Sequence, residues 1–170
     1  KPLLPGTPQG NGLESWGKHA GKKAIWSYWR TYYGSLYPFV KKRKDIAAEL
    51  RFCAKENVIS YFAENEEPLS RSFAMQQNWL MLKMLEDPSQ DIEKLNDRFF
   101  RGYYGKAASF MKQYLEYLER RQDVSRSHLD REFFEKANNL LDQAEKVVAD
   151  DPLSSAHVHW ERIVVDRAMF

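Results

Sequence analysis

The chain reads as an α/β protein that turns wholly helical after its first half, and three observations predict this. Two apolar-aromatic runs, Lys23-Ala24-Ile25-Trp26-Ser27-Tyr28-Trp29 and Val58-Ile59-Ser60-Tyr61-Phe62-Ala63, have the length and composition of buried strands. Between them, Ile46, Ala47, Leu50, Cys53 and Ala54 recur at the i, i+1, i+4, i+7, i+8 spacing of a helix with one buried face. The two runs are roughly 30 residues apart, the size of a βαβ unit with a right-handed crossover, so the strands should run parallel. Past Asp87 no strand-like run appears. Two parallel strands are a poor sheet by themselves, and parallel sheets are covered on both faces. Residues 13–86 are therefore expected to be the last βα units of a larger barrel or open sheet. The domain division follows, with a partial βα segment over residues 1–86 and an all-helical region over residues 87–170.

Each element has its own signal. Residues 1–12 carry Pro2, Pro5, Pro8, Gly6, Gly10 and Gly12, which predicts a loop or a cut end, with a short helix only from about 13 to 19. Pro38 disfavours helix at Tyr37, so residues 34–38 read as a loop before a helix over 40–55 that Asn57 closes. Pro68 and Ser70 introduce a helix over 71–86 that is apolar nearly all round and should be buried on several sides. Asp87-Pro88 and Asp151-Pro152 look like capping residues followed by proline in the first helical turn, and Ser127-His128-Leu129-Asp130 resembles a capping box. Helices are thus predicted over about 89–103, 105–122, 127–149 and 152–169, packed on one another. The chain starts at Lys1 rather than Met and its last helix has no stop signal, which suggests processing or a piece of something longer.

Composition narrows the function. With 43% hydrophobic and 14% aromatic residues over 170 positions, the chain should fold around a real core. Its 26 basic and 24 acidic residues leave +2, too weak and dispersed for nucleic acid. The run Lys41-Lys42-Arg43-Lys44 reads as a solvated first helical turn, and Cys53 as a buried structural thiol. No stretch reaches the ~18 consecutive apolar residues of a membrane span. Phosphate loops, zinc spacings and a serine nucleophile elbow are missing from the sequence. His157 and His159 are two apart on a predicted helix, roughly 200° from each other, so no metal or other cofactor is expected.

Ligands of parallel α/β sheets bind at the carboxyl ends of the strands. Here those ends are followed by Arg30, Thr31, Tyr32 and Tyr33 and by Glu64, Asn65, Glu66 and Glu67. Alternation puts Ser60, Phe62 and Glu64 on one side of their strand and Tyr61 and Ala63 on the other. If Ser60 and Phe62 face the site, Glu64 is its carboxylate; otherwise the acidic cluster merely favours the next helix start. Trp26, Tyr28, Trp29, Tyr32 and Tyr33 offer flat faces for sugar C–H surfaces, and Arg30 a fork for a carboxylate or hydroxyls. Core packing uses the same residue types.

Four phrases in order carry a family resemblance: Ile25-Trp26-Ser27-Tyr28; Tyr61-Phe62-Ala63-Glu64-Asn65-Glu66; Trp79-Leu80-Met81-Leu82-Lys83 with Glu86-Asp87-Pro88; and Phe100-Arg101-Gly102-Tyr103-Tyr104-Gly105-Lys106-Ala107-Ala108. Over about residues 13–120 the chain resembles a bacterial family of unknown function related to glycoside hydrolases with α-glucuronidase and hexosaminidase-like barrels. The resemblance implies the last two strands of a (β/α)8-like barrel with a helical tail, carbohydrate as ligand, and a periplasmic or extracellular setting. With carbohydrate as the ligand class, the strand-end positions make Glu64 the candidate acid and Trp26, Tyr28, Arg30, Tyr61, Asn65 and Glu66 candidate sugar contacts. The expected partners are the missing barrel portion or further copies of the chain. The alternatives are a non-catalytic helical interaction or structural module, and a standalone α+β protein.

Overall fold

The computed structural model describes residues 3–29, 38–64, 71–124 and 129–169, with the side chains of 123 and 124 not described. Helix α1 spans Pro8–Gly17, strand β1 Lys23–Tyr28, helix α2 Arg43–Lys55 and strand β2 Val58–Glu64. They are followed by α3 (Ala74–Glu86), α4 (Ile92–Tyr104), a 3-10 turn over Gly105–Ala107, α5 (Ala108–Val124), α6 (Arg131–Val147) and α7 (Pro152–Ala168).

The two strands pair in parallel, with Trp26 opposite Phe62 and Tyr28 opposite Glu64. Trp29 N–H extends the ladder by donating to Glu64 O at 2.9 Å. Among the described residues the sheet ends there, at two strands, and the rest of the ordered structure is helical. The expectation of terminal barrel units is therefore corrected: this is a mostly helical protein carrying a small parallel sheet. The physical reason lies in what backs the sheet. Tyr61, Ala63 and Trp29 pack against Ile46, Leu50, Leu80, Met84, Ile92 and Leu95, so three helices, α2, α3 and α4, supply one face with a core. Further strands are not needed to bury that face.

Several local expectations are also revised. α1 begins at Pro8, because Thr7 accepts from Gly10 N–H at 3.1 Å and Pro8 occupies the first turn; the glycines and prolines around it conceal an ordinary helix start. Gly10 is required there, since a Cβ would sit 1.9 Å from Leu4 O. α3 starts only at Ala74, after Phe73 in the left-handed region (φ 54°), and Met75, Leu82 and Leu85 of its apolar residues are left exposed. Asp87 folds back on Ser89, and Asp91 caps α4 through Glu93 and Lys94 N–H. Asp130 caps α6 and Asp151 caps α7. The basic run is not simply solvated either. Arg43 is buried, paired with Glu119 at 2.9 Å and Glu93 at 2.7 Å, and it ties α2 to α4 and α5.

A larger core lies among the later helices, where Phe73, Phe100, Tyr104, Met111, Tyr114, Phe133, Leu141 and Val158 interlock. Trp79 touches both this cluster and the one behind the sheet, so α3 joins them.

Candidate functional site

Strand alternation gives the sheet two unlike faces. Trp26 and Tyr28 from β1 and Phe62 and Glu64 from β2 share the face away from α2. The three aromatic residues are 65%, 58% and 53% exposed, values that set them apart from a packed core. Trp26 and Phe62 meet edge to face at 4.9 Å between ring centres, and Tyr28 lies 6.4 Å from Trp26. At the carboxyl end of β2, Glu64 accepts from Trp26 Nε1–H at 3.2 Å, which braces the indole against the strand. The result is an aromatic platform with a carboxylate at its edge.

The covered face carries a polar cluster centred on Glu49 of α2, a carboxylate only 1% exposed. Lys41 Nζ lies 2.6 Å from Glu49 Oε2, Ser27 Oγ donates at 3.3 Å, and the Tyr61 hydroxyl donates to Oε1. Trp29 Nε1–H in turn donates to the Tyr61 oxygen at 2.9 Å, and Lys41 Nζ stands 4.2 Å from the centre of the Trp29 ring. Burial lowers the Lys41 ammonium's pKa while Glu49 opposes the shift. Burial and the same carboxylate push the Tyr61 phenol far up. A cavity of about 700 Å³ runs beside β1, and its walls include Trp26, Tyr28, Trp29, Lys41, Glu49 and Arg71.

Of the residues predicted from sequence, Trp26, Tyr28 and Glu64 come together on the open face. Tyr61 faces the other way and belongs to the Glu49 cluster. Arg30, Asn65 and Glu66 lie outside the described residues. Sequence reasoning passed over Glu49, read Lys41 as solvated, and set Phe62 on the side of Glu64 without naming it a contact. Glu49 had a readable signal: it falls three residues after Ile46 and four before Cys53, so a carboxylate sits on the helix's apolar stripe. Lys41 had none, because its partner is eight residues away across an irregular approach to α2.

Among the described residues no group of three metal-ligating side chains forms. His157 is engaged with Tyr103, its Nδ1 2.7 Å from the backbone oxygen and its ring stacked at 3.6 Å. No helix is long and apolar enough to cross a membrane among the described residues.

Compared with known families, residues 7–116 match one described as a domain of unknown function, DUF4838. No curated protein and no solved structure matches the chain. The matched stretch includes both strands and the whole of the platform, and it stops within α5.

Proposed function

Given that the chain belongs to the DUF4838 family, we propose that it binds carbohydrate on the open face of its sheet. The observation that carries this reading is the exposed platform of Trp26, Tyr28 and Phe62 with Glu64 at its rim. Sugar rings present apolar C–H faces and a belt of hydroxyls. Flat aromatic side chains cover the former, and a carboxylate, with about four acceptor positions, can take sugar hydroxyls beside the Trp26 N–H.

Binding is favoured over hydrolysis within the described residues. A glycosidase brings two carboxyl groups to one sugar, about 5 to 10 Å apart. Glu64 faces the open side and Glu49 the covered one, so these two do not form such a pair. In the sharper form of the proposal, Glu64 is the proton donor of a glycoside-hydrolase-like protein whose second carboxyl comes from outside the described residues. A second reading, a helical interaction module, draws on the exposed Met75, Leu82 and Leu85 of α3.

Screening the chain on a glycan array beside Trp26→Ala, Tyr28→Ala and Glu64→Gln tests the proposal. The expected result is retention of one glycan class that Trp26→Ala weakens at least tenfold, with the melting temperature unchanged because the ring is exposed. Equal retention by all four proteins would remove this face from consideration, and absence of any glycan binding would favour the interaction module.

A further inference from the structure

Glu161 stands in an unusual place. It comes from α7, outside the matched family region, yet its carboxylate is 88 residues away in sequence from the backbone group it binds. Phe73 N–H donates to both of its oxygens, at 3.1 and 2.9 Å, and the Tyr104 hydroxyl donates to Oε1 at 3.2 Å. Phe73 is fully buried, and its left-handed backbone is unfavourable for a residue with a Cβ. It precedes α3 and provides no side-chain cap of its own. The distant carboxylate satisfies the N–H of the residue that opens α3 and so fastens the last helix to the entry of α3.

We propose that Glu161 is a proton-operated clasp between α7 and the start of α3, one that holds more firmly when the carboxyl is protonated. A neutral carboxyl keeps both contacts, with its carbonyl accepting from Phe73 N–H and its O–H turned to the Tyr104 oxygen. An ionised one keeps them as well but must be held out of water. The groups facing it are poor compensation. Arg71, buried just before α3, is the one cation that acts on it among the described residues. α4 contributes the phenols of Tyr103 and Tyr104, and α5 that of Tyr114, which is shared with Ser72. On α7 itself, His157 is one turn earlier and engaged with Tyr103, while Arg162 turns to Asp142 and Glu145 of α6.

Burial accordingly raises the Glu161 pKa from 4.5 to about 7, against the lowering effect of Phe73 N–H, Tyr104 and Arg71. An acid whose pKa is higher folded than unfolded binds more protons in the folded state. Its contribution is complete below the unfolded value of 4.5 and is lost as pH rises through about 7.

The test is a pH series on the 170-residue chain. Between pH 4.5 and 8 the unfolding constant from urea titrations should rise on the order of 100-fold in wild type, and Glu161→Gln should remove that rise. Carbon-13 titration of the Glu161 carboxyl should give a midpoint near neutrality. Tyr104→Phe, by deleting a donor to the charged form, should move it to higher pH. An ordinary midpoint near 4.5, or a slope in Glu161→Gln equal to that of wild type, would overturn the proposal. The carbon-13 measurement decides the matter even if a variant fails to fold.

Discussion

Glu49→Gln isolates the charge at the centre of the polar cluster behind the sheet while leaving its shape. The glutamine carbonyl can still accept from Ser27 or Tyr61, but only the weaker pull of Asp45 is then left to offset the charge of Lys41, whose side chain is only 17% exposed and whose ammonium now lies 2.6 Å from the carboxylate. Removing one member of a buried pair costs about 3–5 kcal/mol, chiefly the penalty of the charge left behind. Burial already lowers the Lys41 pKa and Glu49 is the largest opposing influence, so the variant lysine can shed its proton, which places the cost at the lower end, about 3 kcal/mol. With a urea slope of about 2 kcal/mol/M, the unfolding midpoint should fall by about 1.5 M, read by fluorescence from Trp29 beside the amine. The sign of the pH dependence is fixed too. A lysine with a depressed folded pKa binds fewer protons folded than unfolded, so Glu49→Gln should regain stability as pH rises towards lysine's ordinary 10.5. Adding Lys41→Met to Glu49→Gln should recover much of the loss by deleting the orphaned charge. A single variant within about 0.5 kcal/mol of wild type, or a double variant no better than the single, would refute the reasoning.

Two further outcomes follow from burial and backbone geometry. Burial pushes the Cys53 thiol up to about 12, with Glu49 adding to the effect, so folded protein at pH 8 should react with iodoacetamide on the order of 1,000-fold more slowly than urea-unfolded chain. Equal rates would contradict the buried placement. Gly105 adopts φ 51° and ψ −124°, and a Cβ there would come 2.9 Å from Ser154 Oγ, so Gly105→Ala should cost about 2 kcal/mol and lower the calorimetric melting temperature by about 4–8 °C. An unchanged melting temperature would show that the turn can rearrange.

The order of elements was legible because helical and strand periodicities here are strong and the Asp151-Pro152 cap is a local signal, although the caps of α4 and α6 fall at Asp91 and Asp130, each a few residues past the expected start. Placing Trp26, Tyr28 and Glu64 on one face needed only strand alternation and parallel register. The extent of the sheet was not legible, because whether two strands suffice depends on what covers them. Here Leu80 and Met84, about 20 residues beyond β2, and Ile92 and Leu95, about 30 beyond, do so. The start of α1 was missed since composition outweighed the single Thr7-Pro8 pair. The Phe73 turn was missed because its support comes from Glu161.

Local physics, written in periodicity, alternation and caps, determined by itself where the helices and the two strands form and which aromatic residues share a strand face. Tertiary structure alone decided that one face is sealed by three helices while the other stays open, and which partners, 8 and 88 residues away, meet the buried carboxylates of Glu49 and Glu161. The reason is the cost of burying charge: it is set by desolvation and by which donors arrive from distant segments, and neither is encoded in a residue's near neighbours.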